Sequence, residues 1–242
     1  MPLQPEVIFR CSKRGDGNMA WRWGEAGEVL GNRSAWLKSI GVNPGDVALA
    51  SLNHGDAVRV VGPDDLGWGM LSYDDSLPDA DILITNLSGA RLMMVVADCL
   101  AIAVFDRVTK SVGIAHAGHP GVNLGVPRKL IGAMVSEFGS NPADLEVRLS
   151  PARDTHQATY DDHFLSTRFT ADFWPRYSFP SGDSERPWKV DWIQAAIDQL
   201  TSTGVVVPGY PEDTVTGDYF SHRRSESTGE PEARFAVVAG WL

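Results

Sequence analysis

The segment Leu92-Met93-Met94-Val95-Val96-Ala97-Asp98-Cys99-Leu100-Ala101-Ile102-Ala103-Val104-Phe105 holds two apolar runs divided at Asp98. A third run, Val112-Gly113-Ile114-Ala115-His116, follows the polar break Asp106-Arg107-Val108-Thr109-Lys110. Short apolar or β-branched runs bounded by turn-forming residues read as buried strands. Asp98 interrupts the longest run, which is also shorter than the ~18 residues a membrane-spanning helix needs. Outward from this block, residues 82–85 and 145–149 read as further strands. Residues 47–52 and 57–61 read as two more, flanking the turn residues Asn53-His54-Gly55-Asp56. Residues 123–139 read as a helix, with Pro127 in the first turn, where its missing donor is harmless. Residues 32–41 read as a short helix capped by Asn32 and stopped by Gly41. Val190, Ile193, Ala196, Ile197 and Leu200 recur at helical spacing before Gly204, and residues 205–207 and 235–239 read as closing strands. Residues 174–188, with Pro175, Pro180, Gly182 and Pro187, read as a long loop. Strict strand–helix alternation is absent. The expectation is therefore an α/β class with a mixed sheet, α+β-like rather than doubly wound, in a single domain over residues 1–242.

The composition narrows the function classes. The chain has 242 residues with 43% hydrophobic side chains, enough for a packed core and too apolar for a disordered segment. With 21 basic and 31 acidic residues its formal charge is −10, which disfavours nonspecific nucleic-acid binding. Only Cys11 and Cys99 are present, so no disulfide framework is expected and a reducing compartment fits. The start, Met1-Pro2-Leu3-Gln4-Pro5-Glu6, lacks the basic and apolar pattern of a secretory signal. The expectation is a cytoplasmic protein, monomer or homodimer, with a small-molecule partner and neither nucleic acid nor membrane.

Cys99 and His116 are the most informative pair. A four-residue hairpin loop at residues 106–109 would pair Phe105 with Lys110 and set Cys99 directly opposite His116. Opposed residues have Cβ atoms about 4.5–5.5 Å apart on one sheet face. That suits a thiolate and an imidazole sharing a metal, or a thiol deprotonated by its neighbour. A buried cysteine beside a hydrogen-bonded core histidine fits the same pair equally. His54 sits before a glycine in a tight turn, either solvent-exposed or aimed into a cleft. His119 follows the small residues of His116-Ala117-Gly118 and is either a further ligand or a loop side chain. Arg223 and Arg224 could hold phosphate by paired donors, or belong to a salt-bridged surface. His156 and His163, with Asp161 and Asp162, read as surface. No glycine-rich phosphate loop, Gly-x-Ser-x-Gly elbow or paired-cysteine zinc motif is present.

The ordered series Asn53-His54-Gly55, Ala80-Asp81-Ile82-Leu83-Ile84-Thr85, Ala97-Asp98-Cys99, His116-Ala117-Gly118 and Tyr219-Phe220-Ser221-His222-Arg223-Arg224 resembles the laccase-domain family. That family is also called polyphenol-oxidase-like, YfiH-type or peptidoglycan-editing-factor. The likeness runs from about Asn32-Arg33 to the end. It implies a single laccase-domain fold with one mononuclear metal site held by His54, Cys99 and His116, usually zinc, with copper in some members. It also implies catalytic roles for those three residues, and substrate contacts from Arg223, Arg224 and His119. Members are described as purine nucleoside phosphorylases with adenosine deaminase activity, as laccase-like oxidases of phenols, and as editing enzymes of muropeptide precursors. The chain departs from the family pattern at His119-Pro120-Gly121, where Trp-Arg-Gly is usual. It departs again at Leu52-Asn53-His54 in place of Gln-Val-His, and at Ser150-Pro151-Ala152-Arg153 in place of Gly-Pro-x-Ile.

The leading expectation is a metal-dependent enzyme in which zinc-activated water or phosphate attacks a purine nucleoside. Three alternatives stand beside it. One is a metal-free hydrolase or transferase with Cys99 as nucleophile and His116 as base. Another is a copper polyphenol oxidase, although the sequence offers no second copper cluster for the four electrons that dioxygen takes up. The last is a catalytically silent relative that retains the metal.

Overall fold

In a computed structural model, which describes residues 7–72, 77–78 and 80–242, the chain is an α/β protein of mixed sheets. The N-terminal Met1 to Glu6 stretch lies outside the described residues. The first part of the chain comprises β1 (Val7–Cys11), α1 (Ala26–Ser39), β2 (Val47–Leu49) and β3 (Val58–Val60). The central block follows as β4 (Ile82–Thr85), β5 (Arg91–Val96), β6 (Leu100–Asp106) and β7 (Ser111–Ala117). Next come α2 (His119–Asn123), α3 (Val126–Phe138), β8 (Leu145–Leu149), β9 (Thr159–Tyr160) and α4 (Asp162–Arg168). The chain then runs through β10 (Ser178–Pro180), β11 (Trp188–Val190), α5 (Trp192–Thr201), α6 (His222–Thr228) and β12 (Phe235–Trp241).

Two sheets pack face to face, with a helix layer outside each. The first has the order β1-β12-β5-β2 and the second β3-β4-β7-β6-β8. Leu92, Met94, Val96, Phe235 and Val237 of the first meet Leu83, Ala101, Ala103, Phe105 and Ile114 of the second. Because side chains alternate along a strand, Met93, Ala236 and Val238 point the other way, onto Trp36 and Leu37 of α1. Ile82, Ile102, Val104 and Ala115 likewise face Leu130, Ile131 and Met134 of α3 and Ala196 and Leu200 of α5. Both faces of β6 and β7 are thus buried, which is why their sequences read as unbroken apolar runs. Of a third, small sheet of order β10-β11-β9, strand β10 and the first residue of β11 fall within the stretch expected to be a long loop. β10 and β11 pair as a hairpin across 8 to 12 residues, and β11 reaches β9 across 28 to 30 residues of sequence.

Several boundaries differ from the sequence expectations, each for a local reason. Helix α1 starts at Ala26, so Asn32 is mid-helix and donates to the Asn18 carbonyl at 3.0 Å rather than capping. The expected helix at 123–139 is two helices, α2 and α3, divided at Gly125, whose φ is +80°. Residues 205–207 contribute only an isolated bridge from Val206 to Glu146. The strands flanking His54 form no hairpin: β2 pairs in parallel with β5, and β3 in parallel with β4 of the other sheet. The His54 loop therefore crosses between sheets.

The β6–β7 hairpin corrects the expected register. Asp106 pairs with Ser111 and Phe105 with Val112, so His116 lies opposite Ala101 rather than Cys99. The Asp106 carboxylate accepts from the amides of Val108 (2.8 Å) and Thr109 (3.2 Å), closing the turn one residue later than expected.

Gly113 of β7 shows how tightly α3 is packed: a Cβ there would lie 2.8 Å from Leu130 Cδ1 and 3.1 Å from Ile84 Cγ2 and Met134 Sδ. Overpacking of this kind costs about 1–3 kcal/mol. Gly113→Val is expected to lower the urea-unfolding free energy by that amount, and an unchanged midpoint would contradict the packing described.

Candidate metal centre

The site is organised by the residue immediately before β4. Asp81 is fully buried, and its carboxylate accepts backbone N–H groups from Asn53 (3.3 Å), His54 (3.1 Å) and Gly55 (2.8 Å). The same carboxylate lies 2.7 Å from His116 Nδ1, while the Asp81 carbonyl accepts the His116 amide at 2.8 Å. Burial pushes the Asp81 carboxyl up, but the hydrogen bond and charge of His116, with the loop amides, outweigh it and hold the group below its usual range. A carboxylate facing Nδ1 requires the proton on that nitrogen and leaves Nε2 free. This is the carboxylate–histidine arrangement found behind metal ligands.

His54 enters from the sheet-crossing loop with φ +61°, a left-handed conformation that non-glycine residues adopt rarely. The three amides on Asp81 fix that turn. The His54 and His116 rings meet edge to face with centroids 4.7 Å apart. Cys99 comes from the turn before β6, where Asp98 also has a positive φ of +70°. That turn, and not a ladder pairing, brings the sulfur to the histidines, with Cys99 Sγ 3.9 Å from His54 Nε2. One donor atom from each of His54, Cys99 and His116 lies within 4.8 Å of the other two, the spread in which a single metal ion can be held.

The surroundings fit such an ion. Tetrahedral zinc with sulfur at ~2.3 Å and nitrogen at ~2.0–2.1 Å places its donors roughly 3.3–3.8 Å apart, a small contraction from the observed spacing. Gly118 makes room for the sulfur, since a Cβ there would lie 2.7 Å from Cys99 Sγ and 3.3 Å from His54 Cδ2. Burial pushes the Cys99 thiol up, but His116 and His54 outweigh it and bring the thiol below its ordinary range. Burial pushes His116 down, and Cys99 with Asp81 reverse that and raise it. The sulfur is thereby held ready as a thiolate, the form that binds metal.

The three residues open onto a cavity of about 650 Å³ that is also lined by His119, Tyr160, Arg153 and Arg223. His119 sits among Phe169, Phe164 and Tyr160, with ring centroids at 5.0, 5.5 and 6.4 Å. Burial, with the Arg153 charge, pushes its imidazole down to about 3, so the ring is neutral at physiological pH. Arg223 reaches the cavity wall, but Arg224 is turned away from it. The Arg224 guanidinium donates to the carbonyls of Val215 (2.8 Å), Thr214 and Gly217 (both 3.3 Å) and pairs with Glu230, stapling the loop before α6. His156 and His163 are exposed, as expected of surface residues. Sequence reasoning missed Asp81 and Asp98 as organisers and Arg153 as a cavity residue. The signal for Asp81 was an acid placed directly before the apolar run Ile82-Leu83-Ile84.

A sequence profile for a family described as multi-copper polyphenol oxidoreductase laccase matches residues 15–238. A Streptomyces griseus protein named purine nucleoside phosphorylase ORF3 is 30% identical over 222 residues, covering 89% of this chain and 84% of that protein. A Streptomyces coelicolor protein, also named a purine nucleoside phosphorylase, is 36% identical over 128 residues, 53% of this chain and half of that protein's length. Among solved structures, YlmD from Geobacillus stearothermophilus shares the fold with a TM-score of 0.87, at 24% identity over 100% of this chain and 94% of that one. The chain belongs to the laccase-domain family, the group described as multi-copper polyphenol oxidoreductase laccases.

Proposed function

We propose that the chain is a metal-dependent enzyme that cleaves a purine nucleoside with inorganic phosphate. The observation that carries this reading is the opening of the His54, Cys99 and His116 donors and the Arg223 side chain onto one cavity of about 650 Å³. Such a volume accommodates a nucleoside. The names of the two Streptomyces relatives, both purine nucleoside phosphorylases, supply the substrate class. A thiolate and two imidazoles that leave a fourth position open match a catalytic rather than a structural zinc site, so zinc is our assignment and copper its rival. When bound, the ion supplies Lewis acidity at that position.

The chain's own groups divide the remaining work. Asp81 keeps the His116 proton on Nδ1 and the ring in its orientation. The cavity-lining rings of Tyr160 and Phe164, stacked beside His119 with Phe169 packed behind it, offer an aromatic face to a purine. Arg223 meets an oxyanion with paired donors. Deamination of adenosine, in which water adds at C6 of the purine and ammonia leaves to give inosine, is a separate reaction that we assign to the same site. The free thiols Cys11 and Cys99 suit a reducing compartment such as the cytoplasm, and among the described residues no helix is long and apolar enough to cross a membrane.

Incubation of metal-loaded protein with adenosine and phosphate is expected to release adenine and ribose 1-phosphate, while the separate deamination yields inosine and ammonia with or without phosphate. Cys99→Ser is expected to yield neither, and unchanged adenosine with the native protein would overturn the reading. Elemental analysis is expected to find one metal ion per chain, lost in His54→Ala. Asp81→Asn should bind it about 10–100-fold more weakly. Occupancy should persist at neutral pH and fall in acid as the thiolate and imidazoles take up protons. The opposed displacements of Cys99 and His116 also suit a metal-free thiol nucleophile. That rival predicts activity that survives chelation and rapid alkylation of Cys99, where a metal enzyme loses activity and shields the sulfur.

A further inference from the structure

Asp98, the residue before Cys99, fixes two arginines beside the sulfur. Its carbonyl accepts the Arg153 amide at 2.9 Å, and its Oδ2 accepts the Arg223 amide at 2.7 Å. Its Oδ1 accepts the Thr214 hydroxyl at 2.6 Å, so the carboxylate is fully engaged. Both arginine side chains then turn into the cavity. Arg153 donates through Nη2 to the Tyr160 hydroxyl, and its Cζ lies 5.4 Å from that ring's centre. The Arg153 Nε is buried and has no hydrogen-bond partner among the described residues. Arg223 donates through Nη2 to Thr159 Oγ1 at 3.2 Å, and Arg186 reaches the same cavity from an exposed loop.

The acids nearby compensate this basic face unevenly: burial pushes Arg153 down, but Tyr160, Asp98, Cys99 and Glu226 outweigh it and hold that guanidinium above its ordinary range. Asp161 caps α4 by accepting the Phe164 amide at 2.7 Å. Glu226 lies 3.6 Å from Arg223 Nη1 and 3.5 Å from His222 Nε2, divided between two partners. The guanidinium groups are close enough that, beside burial, the charges of Arg186 and Arg153 push Arg223 down. Partly buried cations that repel one another are costly unless an anion joins them. Planar guanidinium forks match phosphate oxygens.

We propose that Arg153 and Arg223, with Arg186 at the rim, form a seat for a phosphoryl oxyanion next to Cys99. Arg224, bound to loop carbonyls, takes no part. The choice of inorganic phosphate as ligand rests on the phosphorolysis reading; the seat itself rests on the arginines. The guanidinium donors of Arg153 that Tyr160 leaves free are those that such an oxyanion would engage.

Calorimetric titration of the metal-loaded protein with inorganic phosphate, and separately with adenosine 5′-monophosphate, tests the seat without turnover. Arg153→Gln and Arg223→Gln are each expected to weaken binding at least tenfold at unchanged metal content and melting temperature. Arg153→Lys should recover part of the loss, and the exposed Arg186→Gln should weaken binding severalfold. Arg148→Gln, at an exposed position of β8 away from the cavity, should bind as the native protein does. Loss with inorganic phosphate supports a seat for free phosphate, and loss with the monophosphate alone supports a seat for a nucleotide's phosphoryl group. Native affinity for both ligands in Arg153→Gln and Arg153→Lys would overturn the proposal. Arginine-dependent phosphate binding without nucleoside cleavage would retain the seat and reject only the phosphorylase.

Discussion

A single buried carboxylate holds the centre of this molecule together. Asp81 accepts three consecutive loop amides and the Nδ1 proton of His116, so it fixes the turn that carries His54 and the ring of the second histidine at once. Its negative charge would be costly in a fully buried position without these partners. Each partner is in turn held where it is by the charge. The mutual dependence explains how a histidine in an unfavourable backbone conformation is retained at the mouth of a cavity.

Asp98 plays the complementary part on the other side of the sulfur. The left-handed turn at Asp98 ends the link from β5 to β6 and lifts Cys99 out of the ladder toward the histidines, while its carbonyl and carboxylate anchor Arg153, Arg223 and Thr214. Two acids thus divide the site. Asp81 serves the nitrogen donors, and Asp98 joins the sulfur donor to the basic wall. The four-layer packing of helix, sheet, sheet and helix supplies the rigid strand ends from which both act.

The central strands were legible because burial on both faces writes itself into sequence as continuous apolar runs, and β4 and β8 were found with their observed ends. The convergence of Cys99 with His116 was anticipated through a register that does not exist. The Asp106 turn shifts the pairing by two positions, and the residues meet because Asp98 bends the chain. The start of α1 was hidden because Gly27 and Gly31 weaken its first turns and Val29 is the only buried apolar residue there. Strands β10 and β11 were hidden for another reason: they are three-residue strands set among Pro175, Pro180, Gly182 and Pro187, which read as loop. Arg224 looked equivalent to Arg223 because adjacency in sequence does not reveal that successive residues on a helix point about 100° apart.

The metal that accompanies the purified protein is predicted to have one sulfur and two nitrogen neighbours, supplied by Cys99, His54 and His116 from three distant segments of chain. X-ray absorption at that metal's edge reads this directly. One sulfur near ~2.3 Å and nitrogen or oxygen neighbours near ~2.0–2.1 Å are predicted for zinc, with the sulfur contribution gone in Cys99→Ser. A first shell without sulfur in the native protein would contradict it.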